Sequence, residues 1–193
     1  MNSSSTRVAP LPPAEWPDEA RAAFAVMDSQ VTKDLGAAAS NLVMTLANYP
    51  ALARAYYTFG RHLLLESSLS PRIRELVTLR VARRYESHYE WHHHVRLGKR
   101  IGLTDEEIEA IRTGTEARTW SEADRCALRL ADQLCERSRI DDATWNETSR
   151  FLDRRQLMDL VFTIGHYAMV AWAVSALGIE VEPDVRSEEH PLT

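Results

Sequence analysis

The sequence of 193 residues contains only two cysteines, Cys126 and Cys135. They stand nine positions apart in a helical pattern. That is about 13 Å along a helix axis, which is beyond the reach of a disulfide. The first residues, MNSSSTRVAPLPPAEWP, are polar and rich in proline and lack the apolar segment of a secretory signal. Free thiols and the missing signal together predict a cytoplasmic protein.

Sequence features that mark several common functions are also missing. The formal net charge is -5, so the basic excess of a general nucleic-acid binder is absent. No glycine-rich phosphate loop, G-x-S-x-G elbow or HExxH motif occurs, which leaves nucleotide binding, serine hydrolysis and zincin chemistry without support. Arginines and lysines cluster between residues 72 and 100. We interpret this cluster as a solvated or interface face rather than a phosphate site.

No alternating strand pattern of any length is present, and helical patterns follow one another through most of the chain. Ser70 and Pro71 have the residue types that begin a helix. Thr104 and Glu107 have the spacing of a capping box at the start of another helix. These patterns predict an all-α fold.

The predicted organisation has three parts. Residues 1–17 form an extended arm in which prolines prevent a helix, residues 18–182 form a single helical domain, and residues 183–193 form a flexible tail. Residues 74–103 have a faint similarity to residues 158–179, which is compatible with two related helical halves.

One apolar run raises the question of a membrane span. Residues 160–179, LVFTIGHYAMVAWAVSALGI, carry no formal charge over twenty positions, which is long enough to cross a bilayer. Thr163 and His166 interrupt the run, and nothing else in the chain resembles a span. A core helix of a soluble protein, apolar on all sides, explains the run better, so we expect no membrane partner.

The segment SHYEWHHHVRLG, which begins at Ser87, is the richest in residues that carry chemistry. On a helix, one stripe that holds Ser87, Glu90 and His94 should face the core, whereas His92 and His93 should turn away from it. Glu90 and His94 are one helical turn apart, so their side chains can meet. A partly buried carboxylate beside an imidazole can share a proton near neutral pH, which suits general acid/base catalysis.

Two alternatives stay open for this segment. A buried pair of Glu90 and His94 could serve only to hold helices together, because structural pairs also have shifted pKa values. His88 and His92 are also four residues apart and could bind a metal with a further ligand. No zinc-type array of cysteine and histidine is present, so we expect no functional metal.

Residues 69–111, LSPRIRELVTLRVARRYESHYEWHHHVRLGKRIGLTDEEIEAI, resemble the core motif of the carboxymuconolactone decarboxylase family, which includes alkyl hydroperoxidase D-like proteins. With LPPAEWPDEAR before it and DRCALRLADQL, DDATW and QLMDLVFTIGHYAMVA after it, the resemblance covers about 170 residues. It implies an alkyl hydroperoxidase D-like helical bundle.

The resemblance also assigns positions. In the peroxidase branch of the family a Glu precedes a C-x-x-C by twelve residues and a His follows it by four. Glu75 and His94 occupy those positions here, whereas Ser87 and Glu90 replace the two cysteines. The chain therefore resembles a cysteine-less branch. Without paired thiols, we expect neither peroxidase activity nor thiol–disulfide exchange.

The name-giving activity of the family, decarboxylation of a lactone acid, needs no cysteine and no cofactor. The resemblance thus implies a cofactor-independent lyase acting on a small carboxylated or carbonyl-containing substrate. Glu90 and His94 would transfer the proton and Glu75 would orient His94. Substrate contacts are assigned to Tyr89, Ser87 and His166. The alternatives are a non-catalytic helical oligomer with a buried Glu/His cluster, and a metal-dependent enzyme that uses the residues from His88 to His94.

The expected partners are a small-molecule substrate and further copies of the chain. Family resemblance implies a homotrimer or hexamer with sites near subunit boundaries, and no nucleic acid. The proline-rich arm could lie across a neighbouring subunit with Trp16 as its anchor, because aromatic residues are favoured at interfaces.

Overall fold

The computed structural model describes residues 6–27, 40–186 and 190–192. Over these residues the chain is helical and has no strand, which confirms the predicted all-α fold. The described part contains nine α-helices: α1 (Asp18–Phe24), α2 (Asn41–Leu46), α3 (Pro50–Arg61), α4 (Pro71–Arg84), α5 (His88–Arg100), α6 (Asp105–Thr113), α7 (Glu122–Arg137), α8 (Asp142–Thr148) and α9 (Arg154–Leu177).

The chain divides into two compact units. The first comprises Met1–Glu66 with Val174–Glu182, and the second comprises Ser67–Ala173 with Pro183–Thr193. Helix α9 is one continuous helix, and its last turn belongs to the first unit. The single domain at residues 18–182, with an arm before it and a tail after it, stays a prediction from the sequence.

In the first unit, Trp16 is a core residue rather than an anchor for a neighbour. Its indole N–H donates to the Leu11 carbonyl at 2.7 Å, and its ring meets Phe24 edge-on with centroids 5.5 Å apart. The predicted extended arm is also interrupted, because Pro13–Glu15 form a 3-10 turn. The turn folds the chain so that the large apolar surface of Trp16 is buried within its own unit.

In the second unit, α4 lies between two apolar clusters. One face of α4 contributes Ile73, Val77 and Val81 to the first cluster, and another face contributes side chains to the second, namely Leu76, Leu79 and Ala82. The arginines of α4 do not prevent this burial. Arg80 donates to both carboxylate oxygens of Asp132 at 2.7 and 2.9 Å and to the Ile111 carbonyl at 2.7 Å. The interpretation of this basic cluster as a solvated face is therefore wrong for Arg80.

The long apolar helix α9 is less central than its sequence indicates. The prediction of a core helix apolar on all sides is only half right, because one face carries exposed large side chains: Met158, Phe162, Met169 and Trp172. Among the described residues α9 is also the one helix long and apolar enough to cross a membrane by length and composition. Half of its most apolar window is buried, and core helices of soluble proteins meet the same criterion.

A tight connection joins α4 to α5. After α4, the Glu86 N–H donates to the Arg83 carbonyl and the Ser87 N–H to the Ala82 carbonyl, which is the bonding pattern of a Schellman motif. Glu86 has a φ of 51°, a left-handed conformation that normally favours glycine. The two helices therefore leave this turn in a fixed relation, and each brings polar residues to the same place.

The C-terminal residues that are described do not form a free tail. Leu192 is buried in the cluster that contains Trp91, and the Trp91 indole N–H donates to the His190 carbonyl at 2.9 Å. His190 also lies 2.9 Å from a carboxylate oxygen of Asp105. An apolar side chain and two polar contacts therefore hold residues 190–192 in the second unit.

Candidate active site

Polar side chains from three helices of the second unit are buried or half-buried close together. The contributing helices are α4, α5 with its N-cap, and α9, and the residues are Arg74, Glu75 and Thr78, then Ser87, Glu90 and His94, then His166 and Tyr167. Five of the six residues that the sequence predicts for the site, all except Tyr89, lie in this group. Burial of so many polar groups is costly unless each has a partner or a function.

Glu75 and His94 form the central pair. The Nδ1 atom of His94 donates to Oε2 of Glu75 at 2.7 Å, while Nε of Arg74 donates to Oε1 of the same carboxylate at 3.1 Å. Glu75 is fully buried and His94 is 8% exposed. Burial alone would raise the pKa of Glu75, but His94 and Arg74 outweigh it and hold that pKa below its ordinary value. Glu75 is therefore an anion that fixes the proton of His94 on Nδ1. The Nε2 atom of His94 is then left to exchange a proton with a bound molecule.

Glu90 is buried like Glu75, but it differs from Glu75 in its hydrogen-bond partners and in the direction of its pKa shift. It is 2% exposed, and both of its carboxyl oxygens are buried without a hydrogen-bond partner. Burial raises the pKa of Glu90 to about 8, and the nearby Ser87 hydroxyl opposes this only in part. Contrary to the predicted pairing with Glu90, His94 is bound to Glu75. At neutral pH Glu90 is an uncharged acid.

Aromatic rings from α9 complete the group. Tyr167 packs edge-on against the imidazole of His94 with centroids 4.7 Å apart, and against His166 at 5.2 Å. Burial, with the charge of Glu75, raises the pKa of the Tyr167 phenol. Burial, with the nearby His94, lowers the pKa of His166 to about 4. Tyr167 and His166 are therefore neutral hydrogen-bonding groups at physiological pH.

One histidine, His92, and one tyrosine, Tyr89, depart from the sequence prediction. His92 is only 5% exposed, so the prediction that it turns away from the core is wrong. Burial, together with His88 and Arg186 nearby, lowers the pKa of His92, which indicates that the C-terminal segment lies beside it. Tyr89, a predicted substrate contact, has its ring centroid 4.5 Å from that of His93. The described contact of Tyr89 is thus with His93.

The described residues provide no ready-made metal centre. Among them, no group of three or more His, Cys, Asp or Glu side chains has the geometry to hold a metal ion. The rings of His88 and His92 are stacked with centroids 6.4 Å apart. The metal-dependent alternative therefore gains no support from the geometry of these residues.

Three members of the site were not predicted from the sequence: Arg74, Thr78 and Tyr167. Arg74 was assigned to a solvated face, although its position next to Glu75 could have suggested a partner. Thr78 and Tyr167 look like ordinary core positions, yet each follows another site residue by one position or one turn. Helical spacing from Glu75 and His166 was the available signal.

The arrangement is suited to moving one proton. A histidine oriented by a buried carboxylate can accept or donate a proton at Nε2. A neutral carboxylic acid beside it can donate a hydrogen bond to an oxygen of a bound molecule. Two carboxyl groups in one cluster with pKa values shifted in opposite directions are typical of acid/base sites.

Solved structures share this fold over nearly the whole chain. The apo form of the debrominase Bmp8 superposes with a TM-score of 0.82 at 17% identity, covering 99% of this chain and 100% of that chain. An uncharacterised peroxidase-related protein from Silicibacter sp. TM1040 gives 0.79 at 19% identity, with 98% of both chains covered. An alkylhydroperoxidase AhpD core protein from Ralstonia eutropha JMP134 gives 0.75 at 17% identity, covering 93% of this chain and 94% of that chain. These similarities establish an alkyl hydroperoxidase D-like fold.

The sequence agrees with the fold. Residues 50–133 match the model of the Carboxymuconolactone decarboxylase family. This match and the similar folds support a relationship to the carboxymuconolactone decarboxylase and alkyl hydroperoxidase D-like family. No curated protein matches the chain by sequence.

Proposed function

We propose that the protein is a cofactor-independent, lyase-type enzyme that acts on a small substrate with a carbonyl or lactone group and a carboxylate. The observation that carries this proposal is the His94–Glu75 hydrogen bond of 2.7 Å in a buried site beside the uncharged acid Glu90. The residues that would contact substrate are Tyr89, Ser87 and His166. Glu75 orients His94, His94 transfers the proton, and Glu90 lies beside it as an uncharged acid.

A decarboxylation fits these groups without a cofactor. The bond between the substrate carbon and its carboxylate breaks, carbon dioxide leaves, and the electron pair moves into the conjugated carbonyl to give an enolate. A protonated His94 then donates its Nε2 proton to that carbon and recovers a proton from water. The hydrogen bond to Glu75 holds the imidazole of His94 in one orientation for this transfer.

Peroxidase activity does not belong to this proposal. Ser87 and Glu90 occupy the positions of the two family cysteines, and a hydroxyl and a carboxyl cannot cycle through a disulfide. Cys126 and Cys135 do not replace them. Burial raises the pKa of both thiols, to about 11 for Cys135, which disfavours the reactive thiolate. One neighbouring structure contains the debrominase Bmp8 with 2,3,4-tribromopyrrole, and we infer a similarly small, planar substrate here.

The test is turnover of a panel of carboxylated lactones and β-keto acids by the wild type and by His94→Gln. The variant should lose activity by at least a hundredfold, because general acid/base catalysis contributes about that much or more. Its helical circular dichroism and midpoint of urea unfolding report on the fold. Unchanged activity of a folded His94→Gln variant on any substrate found would mean that the buried cluster is structural, as in a non-catalytic oligomer.

We also propose that the protein is a homo-oligomer, a trimer or a multiple of it. Four exposed side chains on α9 support association: Met158, Phe162, Met169 and Trp172. Their spacing of four, seven and three positions keeps them on one face of the helix. Monomeric proteins rarely expose a large contiguous apolar patch. His166 lies between Phe162 and Met169 in this helix, so a second copy on this face would lie next to the site.

A further inference from the structure

The N-terminus of α5 contains a serine that does not do what its position favours. Ser87 is the N-cap of α5, but its side chain accepts no capping hydrogen bond. Its hydroxyl is instead buried without a partner. Five other N-cap side chains in the described residues each accept a hydrogen bond from the backbone three positions later: Ser40, Ser70, Thr104, Ser121 and Asp141.

The unused hydroxyl of Ser87 lies near the carboxyl of Glu90. Neither oxygen of Glu90 nor the Ser87 hydroxyl has a hydrogen bond of normal geometry, although Ser87 is close enough to Glu90 to lower its pKa in part. Such atoms raise the free energy of the folded protein unless a bound molecule satisfies them. A serine that leaves its cap also gives up a hydrogen bond that stabilises the start of the helix. The arrangement therefore points to a ligand atom at Ser87 and Glu90.

The charges of the groups around Glu90 determine which kind of ligand atom can bind there. Helix α4 contributes the anion Glu75 and the cation Arg74, which bind each other at 3.1 Å. Helix α5 contributes His94, which is bound to the same carboxylate. Helix α9 contributes His166 and Tyr167, both neutral between pH 6 and 10 because burial lowers the pKa of the imidazole to about 4 and raises that of the phenol.

No cation is bound to the Glu90 carboxyl, because the hydrogen bonds of Arg74 and His94 go to Glu75. An uncompensated buried carboxyl keeps its proton, and a carboxylic acid has one O–H to donate. The Ser87 hydroxyl has a second. Both donors belong to the first turn of α5 and its N-cap, and the proton carrier His94 is one turn further along this helix.

We propose that Ser87 and Glu90 together form an oxyanion hole, in which Glu90 stays protonated and binds the substrate's carbonyl oxygen while His94 alone moves the proton. This deepens the proposed function and rests on it for the role of His94. The substrate class is then a ketone, enone or lactone whose oxygen becomes negative during the reaction. A carboxylate of the substrate lies elsewhere. The developing charge is stabilised by donors that are already in place.

The test measures binding rather than turnover, with 4-nitrophenol as the probe because its phenolate mimics an enolate and absorbs differently from the phenol. Affinity is expressed per concentration of phenolate between pH 6 and 10. In the wild type it should fall about tenfold for each pH unit above about 8, as Glu90 loses its proton and repels the anion. Glu90→Gln keeps a donor, so its affinity should stay within about threefold of the wild type at pH 7 and should not fall above pH 8.

Three further variants make the result decisive. Glu90→Leu removes the donor and should bind the phenolate at least tenfold more weakly at pH 7, and Ser87→Ala should weaken binding several-fold without removing the decline above pH 8. His94→Gln should keep that decline. Wild-type protein that does not bind the phenolate, a wild-type affinity that is constant with pH, or a folded Glu90→Leu variant that binds normally would each overturn the oxyanion hole. Loss of the decline in His94→Gln would assign the titration to His94 and would also overturn it. Activity retained by His94→Gln with this binding pattern intact would refute only the proposed function.

Discussion

The free energy of unfolding of a Glu90→Gln variant, measured relative to that of the wild type, should increase as the pH rises. The substitution keeps the size of the side chain and leaves an uncharged group at a position that is 2% exposed. The folded wild-type protein holds a proton on Glu90 up to about pH 8, whereas the unfolded chain releases it near 4.5. The folded state therefore binds more protons than the unfolded state between these two pH values.

The sign and size of the effect follow from this difference in proton binding. Stability falls with rising pH wherever the folded state binds more protons. The stabilising contribution of Glu90 is complete below pH 4.5 and is lost as the pH rises to about 8. The rise from 4.5 to about 8 corresponds to about 5 kcal/mol, at about 1.4 kcal/mol for each pH unit. Glutamine does not titrate, so its own burial cost is the same at every pH.

The assay is urea unfolding of both proteins at pH 5, 7 and 9. The difference in free energy of unfolding between Glu90→Gln and the wild type should grow by about 4 kcal/mol from pH 5 to pH 9, and most of the growth should occur below pH 8. Subtraction cancels the other titrating groups. Glu136→Gln, an exposed change on α7, is the matched control and should show almost no growth. A difference that stays constant within about 1 kcal/mol would mean that Glu90 is not a neutral acid in the folded protein.

Two further predictions concern the turn after α4 and the face of α9. Glu86→Gly should raise the free energy of unfolding by about 1 kcal/mol, because Glu86 has a φ of 51° that glycine adopts without strain, and Glu86→Ala should not. Urea denaturation measures both, and a less stable glycine variant would contradict the assignment of strain. Met169→Glu should shift the oligomer toward monomer in light scattering of detergent-free protein, because a charge on an apolar interface is costly. Glu136→Lys should leave assembly unchanged. A wild-type protein that is monomeric at micromolar concentration, or a Met169→Glu variant that assembles normally, would refute the proposed interface.

Local rules predicted much of the helical framework. Ser70 and Pro71 begin α4 as expected, and the Thr104 side chain forms the predicted capping box with Glu107. These features depend on residues within one turn of each other, so the sequence alone determines them. The same holds for the inward stripe of α5. Its spacing predicted that Ser87, Trp91 and His94 would be buried, and the structure confirms it, although Ile101 at the end of the stripe is exposed.

Features that depend on distant segments were predicted less well. His92 is on the outer side of the α5 stripe, and it is buried because other parts of the second unit, Arg186 among them, lie close to it. Trp16 was separated from the helical domain by prolines, yet a 3-10 turn returns it to the core of its own unit. No periodicity within one helix contains this information, since it depends on which segments meet after the chain has folded.

The hydrogen-bond partner of His94 depends on the packing of α4 against α5 as well as on spacing within α5. Spacing on α5 favoured Glu90 as its partner, whereas the position of Glu75 in the family motif favoured the other carboxyl. His94 is hydrogen-bonded to Glu75 because the turn at Glu86 brings α4 against α5. This places the carboxylate of Glu75 next to Nδ1 of His94. Arg74 then compensates Glu75 and leaves Glu90 without a cation. A carboxyl at one cysteine position of the family thus becomes a neutral hydrogen-bond donor, and this follows from how two helices pack rather than from either helix alone.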